Sequence, residues 1–342
     1  MKYTLNKLDS NVRTTNNFKI NDITLDLDLP DTYSFHEFKS NYPIESTVIE
    51  EDITSRIGLT FNKYLNIDIN LDKYSNNKDI ILEYDFSGND NLIVNFNINY
   101  LENSNGNIII KFKSIDNNKH ICFYKENLIN KENSCGNITI INMLNDNSYM
   151  FTSIENSVLD NSNITHNIID IGGSIRISNI LSKTYNYSNN IFNNIYIGLG
   201  ESIIDSYYYL DNIGKNSFNN LVVEGVLNDN SNKNFRGIID LESGASSSRG
   251  IEGENCILLS DTARSRSLPV LLCGEENVEG AHGVSTGKID QDKLFYIMSR
   301  GYSRKEAEKL IVMSRFNNIL NNISNEDIRS ELYEYIENLL TK

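Results

Sequence analysis

Tryptophan is absent from this chain of 342 residues, and proline occurs only three times. So little proline excludes a proline-rich linker protein. No run of 18 apolar residues is present, so no transmembrane helix is expected. The first ten residues, Met1 to Ser10, lack the apolar centre of a signal peptide, and a cytoplasmic location is expected. Basic residues are scarce: 31 Lys and Arg stand against 46 Asp and Glu, a formal net charge of -15. Phosphate backbones and anionic lipid surfaces are bound by clustered Lys and Arg, so neither nucleic acid nor membrane is the expected partner. Cysteine is limited to Cys122, Cys135, Cys256 and Cys273, with no C-x-x-C pair. In a reducing compartment these are expected as thiols, and no structural zinc site is predicted.

Asparagine, by contrast, is abundant, with runs such as Asn76-Asn77 and Asn117-Asn118. These runs lie between Ile-rich segments and read as loops and turns. Over the first 75 residues the pattern is mixed. Ile23-Thr-Leu-Asp-Leu-Asp-Leu29 alternates apolar and polar, the signature of a half-buried strand that Pro30 ends. Residues 45–72 carry short helix and strand signals without a clear order. From about residue 79 to 274, short β-branched runs recur, among them Ile108-Ile-Ile-Lys-Phe112, Ile138-Thr-Ile-Ile141 and Ile168-Ile-Asp-Ile171. Each is bounded by Asn, Asp, Gly or Ser. Many short strands without helices leave a sandwich, a barrel or a β-solenoid. Asn105-Gly106 is the one hairpin signal of the Asn-Gly type, and the run spacing is uneven, which favours a parallel β-helix.

After residue 288 the period changes to helical. Ser303-Arg-Lys-Glu306 fits a capping box, and Ser324-Asn-Glu-Asp327 reads as another helix start. An earlier short helix holds Leu294, Phe295 and Met298 and ends at Gly301. Residues 288–342 contain nine basic and nine acidic side chains, so the surplus acid lies in the β body. A neutral tail with an apolar stripe reads equally as a solenoid cap or as a docking surface. The expected organisation is a mixed region at 1–75, a β-helix at 76–287 and a helical domain at 288–342.

Gly283-Val-Ser-Thr-Gly-Lys288 looks at first like a phosphate-binding loop. The pattern fails, because His282 stands where the first Gly belongs and Ile289 replaces the magnesium-holding Ser or Thr, so no nucleotide is expected on this chain. His282 sits between Gly280 and Gly283. An isolated His often does no more than satisfy nearby backbone, but a neutral imidazole on so bare a backbone also suits metal ligation. Cys256 and Cys273, on what read as the last two strands, are either small buried thiols or soft ligands that join His282. Cys122 and Cys135 read as core residues. Arg249, Arg264 and Arg266 form a basic cluster that solvated loops would explain. Asp170, Asp205, Asp240 and Asp261 are the carboxylates a β-helix carbohydrate lyase or hydrolase would need, and such an enzyme, or a purely structural solenoid, is the alternative reading.

The final third resembles the SufB/SufD family of iron-sulfur cluster assembly scaffolds. The resemblance is carried by Phe235-Arg-Gly-Ile-Ile-Asp240, Glu254-Asn-Cys-Ile-Leu-Leu-Ser260, the strand at Pro269, Glu279-Gly-Ala-His-Gly-Val-Ser-Thr-Gly-Lys-Ile-Asp290 and Leu294-Phe-Tyr-Ile-Met-Ser-Arg-Gly301. It implies a right-handed parallel β-helix with a small C-terminal α-helical domain. It also implies a non-catalytic scaffold that handles a transient iron-sulfur cluster. The implied partners are a SufC-type ABC ATPase, docked through the helices, and a SufB/SufD paralogue or a second copy of the chain, paired through the β-helix. The family's functional His falls on His282. The position of the functional Cys of SufB-type members holds Glu254, with Cys256 two residues on and on the same strand face. Gly283 stands where SufB-type members have Glu. These departures make the chain SufD-like, or similar to a short minimal-system homologue. His282 and Cys256 are therefore the expected metal ligands, with Glu254, Cys273 and Glu279 as further contacts to the cluster. Leu294, Phe295, Tyr296, Arg300, Gly301 and Leu310 are the expected ATPase-docking residues.

Overall fold

The computed structural model describes residues 2–6, 24–30, 32–34, 36–72 and 79–341. The first strands are β1 (Lys2–Asn6), β2 (Thr24–Asp28), β3 (Lys39–Ser40), β4 (Glu45–Ile49), β5 (Ile53–Thr54), β6 (Thr60–Phe61) and β7 (Tyr64–Leu71). The body continues with β8 (Ile80–Phe86), β9 (Asn91–Tyr100), β10 (Asn105–Ser114), β11 (Ile121–Asn130), β12 (Cys135–Met143), β13 (Tyr149–Val158), β14 (Asn163–Asp170) and β15 (Ile175–Thr184). It ends with β16 (Asn189–Gly198), β17 (Ile203–Asn212), β18 (Phe218–Leu227), β19 (Asn232–Leu241), β20 (Arg249–Leu258), β21 (Arg264–Cys273) and β22 (Glu279–Lys288). Three helices follow: α1 (Gln291–Met298), α2 (Arg304–Leu320) and α3 (Glu326–Thr341).

From β7 onward the strands alternate between two facing sheets and pair in parallel with the strand two places on. The body is thus a two-sheet parallel β-solenoid. Even-numbered strands β8 to β22 form one sheet and odd-numbered strands β7 to β21 the other. Short antiparallel strands, β3 on β8 and β4 on β7, close the N-terminal end. Among the described residues of 45–72 the regular elements are strands, with no helix. The alternation at 23–29 appears as β2, with Leu25, Leu27 and Leu29 buried; Ile23 and the Asn76-Asn77 run lie outside the described residues.

The asparagines have two jobs, and only one was expected. Asn103, Asn133, Asn161 and Asn216 adopt left-handed φ values of 52–59°, with Tyr187 and Ser247 at equivalent turns. Asn tolerates that region because its short amide bonds locally. The turns recur at intervals of 30, 28, 26, 29 and 31 residues, the length of one coil. Each is followed by a buried serine at 104, 134, 162, 188, 217 or 248. Other asparagines lie within strands and bond to their counterparts one coil away, as Asn127 does to Asn95 (3.0 Å) and Asn193 to Asn167 (3.0 Å). Asn105-Gly106 is no hairpin turn. It begins β10, where a side chain at Gly106 would strike Leu71.

The solenoid interior buries one apolar column, for example Ile108, Ile110 and Phe112 of β10. The outer face of the even-numbered sheet is apolar as well, through Ile109, Ile141, Ile169, Ile195 and Ile197, and is covered by the helices. Strands buried on both faces read as unbroken apolar runs, which explains Ile108-Ile-Ile and Ile138-Thr-Ile-Ile. The helices are therefore neither an end cap nor a detached handle. They lie back along the sheet as far as its N-terminal coils, where Glu331 of α3 bridges Lys111 and Lys113 (2.8 Å each). The capping box at Ser303 and Glu306 is present. For α3 the Asn325 side chain, not Ser324, accepts from Ile328 N–H (3.0 Å). Among the described residues, no helix is long and apolar enough to cross a membrane.

Candidate functional site

Cys256 and Cys273 were expected on the last two strands, but a further strand follows them. Glu279–Lys288 is β22, the edge of the even-numbered sheet, bonded to β20 on one side and, among the described residues, free on the other. All ten of its residues are exposed. Three of them are glycine, a poor strand former. Its extended shape is imposed by the backbone ladder to β20, which sequence periodicity does not report.

Register decides which way each side chain points. On β20, Gly250, Glu252, Glu254 and Cys256 are buried inside the coil. Their partners on β22 are Gly280, His282, Val284 and Thr286. His282 therefore faces the open end of the interior. Across that opening, Thr286 meets Ser265 of β21 (Oγ1–Oγ 3.3 Å), and a side chain at Gly280 would strike Leu271. His282 and Val284 lie between these two crossings.

Directly beneath His282, one rung inward, stands Glu252, which the sequence reading missed. It is 2 % exposed, and neither carboxylate oxygen has a hydrogen-bond partner. A side chain at Gly237 on the facing strand would occupy the space its carboxyl fills. Burial, reinforced by the Glu254 charge, pushes its pKa up to about 8. The signal was present in Glu252-Gly-Glu254-Asn-Cys256, where the period of two places all three side chains on one strand face.

Glu254 is also buried. It pairs with Lys233 of β19 and accepts from the Tyr196 hydroxyl (2.9 Å). Lys233 donates in addition to Ser267 Oγ (2.8 Å). Cys256 shares the face of Glu254, as expected, but is 3 % exposed, and burial pushes its thiol up from the ordinary value. A protonated thiol is a poor metal ligand. Cys273 is exposed at the end of β21, outside the two crossings that frame His282. Glu279 does not join the group. An odd offset from His282 turns it to the opposite face, where it pairs with Arg249 (2.7 Å). The other sequence candidates scatter. Asp170 faces Arg176, Asp205 pairs with Arg236, and Asp261 pairs with Lys288. Of the basic trio, Arg249 and Arg264 open strands rather than occupying loops, and Arg266 lies within β21. Cys122 is buried as expected, but Cys135 is exposed at the start of β12.

The proposed docking residues divide. Phe295 (74 % exposed), Tyr296 and Leu310 lie on the surface, and Arg300 donates to the Tyr296 hydroxyl (2.9 Å). Gly301 has a φ of 100°, the left-handed turn that ends α1. Leu294 is buried in the cluster that the helices share with the outer face of the sheet and is unavailable to a partner, whereas Phe295 beside it turns outward. Met298 and Tyr302 add to the exposed apolar surface. Beside it runs a groove of about 800 Å³ lined by Ile257, Ile289, Tyr296, Ile297, Leu310 and Ile311, among others.

A family model described as "SUF system FeS cluster assembly, SufBD core domain" matches residues 87–315, more than half of the chain. The iron-sulfur cluster assembly protein SufD of Bacillus subtilis (strain 168) is 31% identical over 143 residues, which are 42% of this chain and 33% of that protein. A SufBD family protein of Synechocystis sp. is 28% identical over 114 residues, covering 33% of this chain and 24% of the relative. Another, from Galdieria sulphuraria, is 32% identical over 100 residues, 29% of this chain and 45% of the relative. The matched stretch thus spans less than half the length of each of these curated relatives.

Proposed function

The chain belongs to the SufB/SufD family of iron-sulfur cluster assembly proteins, and from that membership we propose that it is a non-catalytic scaffold subunit whose open coil end pairs with a second family subunit. The observation that carries this reading is His282, exposed on an unpaired edge strand and one rung above a buried carboxyl without a partner. A free strand edge is a template for pairing with another chain. Pairing through β22 would enclose His282 and bring the Glu252 carboxyl and the imidazole into one dry compartment, where a carboxyl oxygen orients a ligating ring by accepting from its second nitrogen.

The cluster is cargo in this scheme. The residues present fit a partial site. His282 offers an exposed imidazole and Cys273 an exposed thiol, whereas Cys256 and Glu254 are held inside, one protonated and the other ion-paired. A cluster takes more donors than this end supplies, so the second subunit, a SufB/SufD paralogue or another copy of the chain, would supply the rest. The exposed surface of α1 with Leu310 is the docking face for a SufC-type ABC ATPase. Because the helices share one buried cluster with the outer face of the even-numbered sheet as far as Ile257 of β20, and β20 bonds to β22, a two-state interface biased by nucleotide on the partner is a sufficient switch.

The test is anaerobic co-expression with a SufC-type ATPase and a SufB-type paralogue, in wild type and His282→Ala. The reading expects a stable complex in both and an iron-sulfur absorption band that weakens in the variant. Absence of any complex, or an unchanged band in His282→Ala, would overturn it.

A further inference from the structure

Away from the open end, on the outer face of the odd-numbered sheet, three carboxylates converge. Asp211 of β17 is in register with Asp240 of β19, and Glu242 follows just past the end of that strand. One carboxylate oxygen from each lies within 4.8 Å of the other two. Among the described residues, none of the three makes an ion pair. Like charges placed this close repel, and folding alone gives no reason to gather them.

A second observation sets this group apart from a solvated acidic patch. Asp211 is only 6 % exposed, and its Oδ1 is buried without a hydrogen-bond partner. A buried carboxylate normally has its lone pairs filled. Burial and the neighbouring Glu242 and Asp240 push this carboxyl up to about 7, against the opposing charge of Lys183 one rung away on β15. Asp240 is fixed in place by the Tyr209 hydroxyl, which donates to its Oδ2. The group also has an approach from solvent. A groove of about 470 Å³, lined by Arg56, Glu155, Lys183, Tyr207 and Tyr209, reaches Asp211.

We propose that Asp211, Asp240 and Glu242 form a binding site for a hard divalent cation of the magnesium, calcium and manganese class. An all-oxygen donor set with no sulfur or imidazole selects that class. Three carboxylates supply part of the coordination shell, and water from the groove completes it. The cation accepts the unshared lone pair of Asp211 Oδ1, cancels the repulsion and fastens β17 to β19. The site is separate from His282 and does not depend on the scaffold reading.

The test is a manganese titration of the full chain, with free Mn²⁺ followed by electron paramagnetic resonance and then competed with Ca²⁺ and with Mg²⁺. Wild type is expected to show one saturable site. Asp211→Asn and Glu242→Gln are each expected to weaken it by roughly tenfold or more. Glu242 is exposed, so its variant keeps the experiment decisive if Asp211→Asn folds poorly. Glu132→Gln, an exposed acid at a distant turn, is the control and is expected to bind as wild type does. Three results would each overturn the assignment: no saturable site in wild type, wild-type affinity in Glu242→Gln, or equal weakening in Glu132→Gln.

Discussion

The two ends of the solenoid are built to opposite ends. At the N-terminal end, Phe38 enters the interior and packs edge-on against Phe96 and Phe112, with Tyr84 alongside, while β3 and β4 cover the first strand edges in antiparallel fashion. At the C-terminal end, nothing among the described residues covers β21 or β22. The inward positions there hold Gly280, His282, Val284 and Thr286 opposite Ser265, Ser267, Pro269 and Leu271, small or polar apart from Val284, Pro269 and Leu271. Buried charged groups stand at this end too, in Lys233, Glu252 and Glu254. A coil end filled by an aromatic side chain is finished as a fold. One lined with glycine, a histidine and an unpartnered carboxyl leaves an open strand edge, the kind of edge on which another strand can pair.

That contrast can be broken at several points. Phe38→Ala removes the N-terminal plug and is expected to cost about 3–5 kcal/mol, the usual range for a buried Phe. Denaturant unfolding measures this, and subunit pairing at the other end should be unaffected. Lys233→Met strands the Glu254 carboxylate inside the coil and should cost about 3 kcal/mol or more. Its effect should therefore rival that of Phe38→Ala, and equal stability of variant and wild type would remove the ion pair from the argument.

Glu252 sharpens the comparison through pH. Its native pKa is raised from 4.5 to about 8, so between those values the folded chain holds a proton that the unfolded chain has released. Its contribution is therefore fully present below about pH 4.5 and is lost as pH climbs through 8, at no more than roughly 1.4 kcal/mol per pH unit. Glu252→Gln is expected to flatten that part of the stability profile. Thermal melts from pH 5 to 9 should show the variant gaining on wild type as pH rises. The smallest stability effect is expected for His282→Ala. With its ring exposed, the variant should stay within about 0.5 kcal/mol of wild type in the isolated chain. A large loss of stability would mean that the imidazole serves the fold and not a partner.

Much of this architecture was legible in the chain. The Ile-rich runs reported strands, and the switch of period near Lys288 reported the helices. Asn105-Gly106 misled because a turn dipeptide was judged without its register, and the glycine was needed for Leu71. The site was half legible. His282 stood out by its neighbours and by family resemblance. Glu252 did not, since a glutamate between glycines reads as surface unless the neighbouring rung is known. Glu279 and Leu294 were assigned to functional surfaces from sequence, and strand parity and helix facing placed them elsewhere. The left-handed turns with their buried serines carry a coil-length repeat that could have been found by aligning the chain against itself.

Local chemistry, then, determined the strands, the left-handed asparagine turns, the helix caps and the acidic surface, because each depends on a few neighbouring residues. Only the tertiary structure decided which glutamates lie inside, that a glycine-rich segment is an edge strand, and that Asp211, Asp240 and Glu242 meet. Those facts follow from stacking one coil on the next, which joins residues about thirty positions apart in the chain, and no local pattern records that distance.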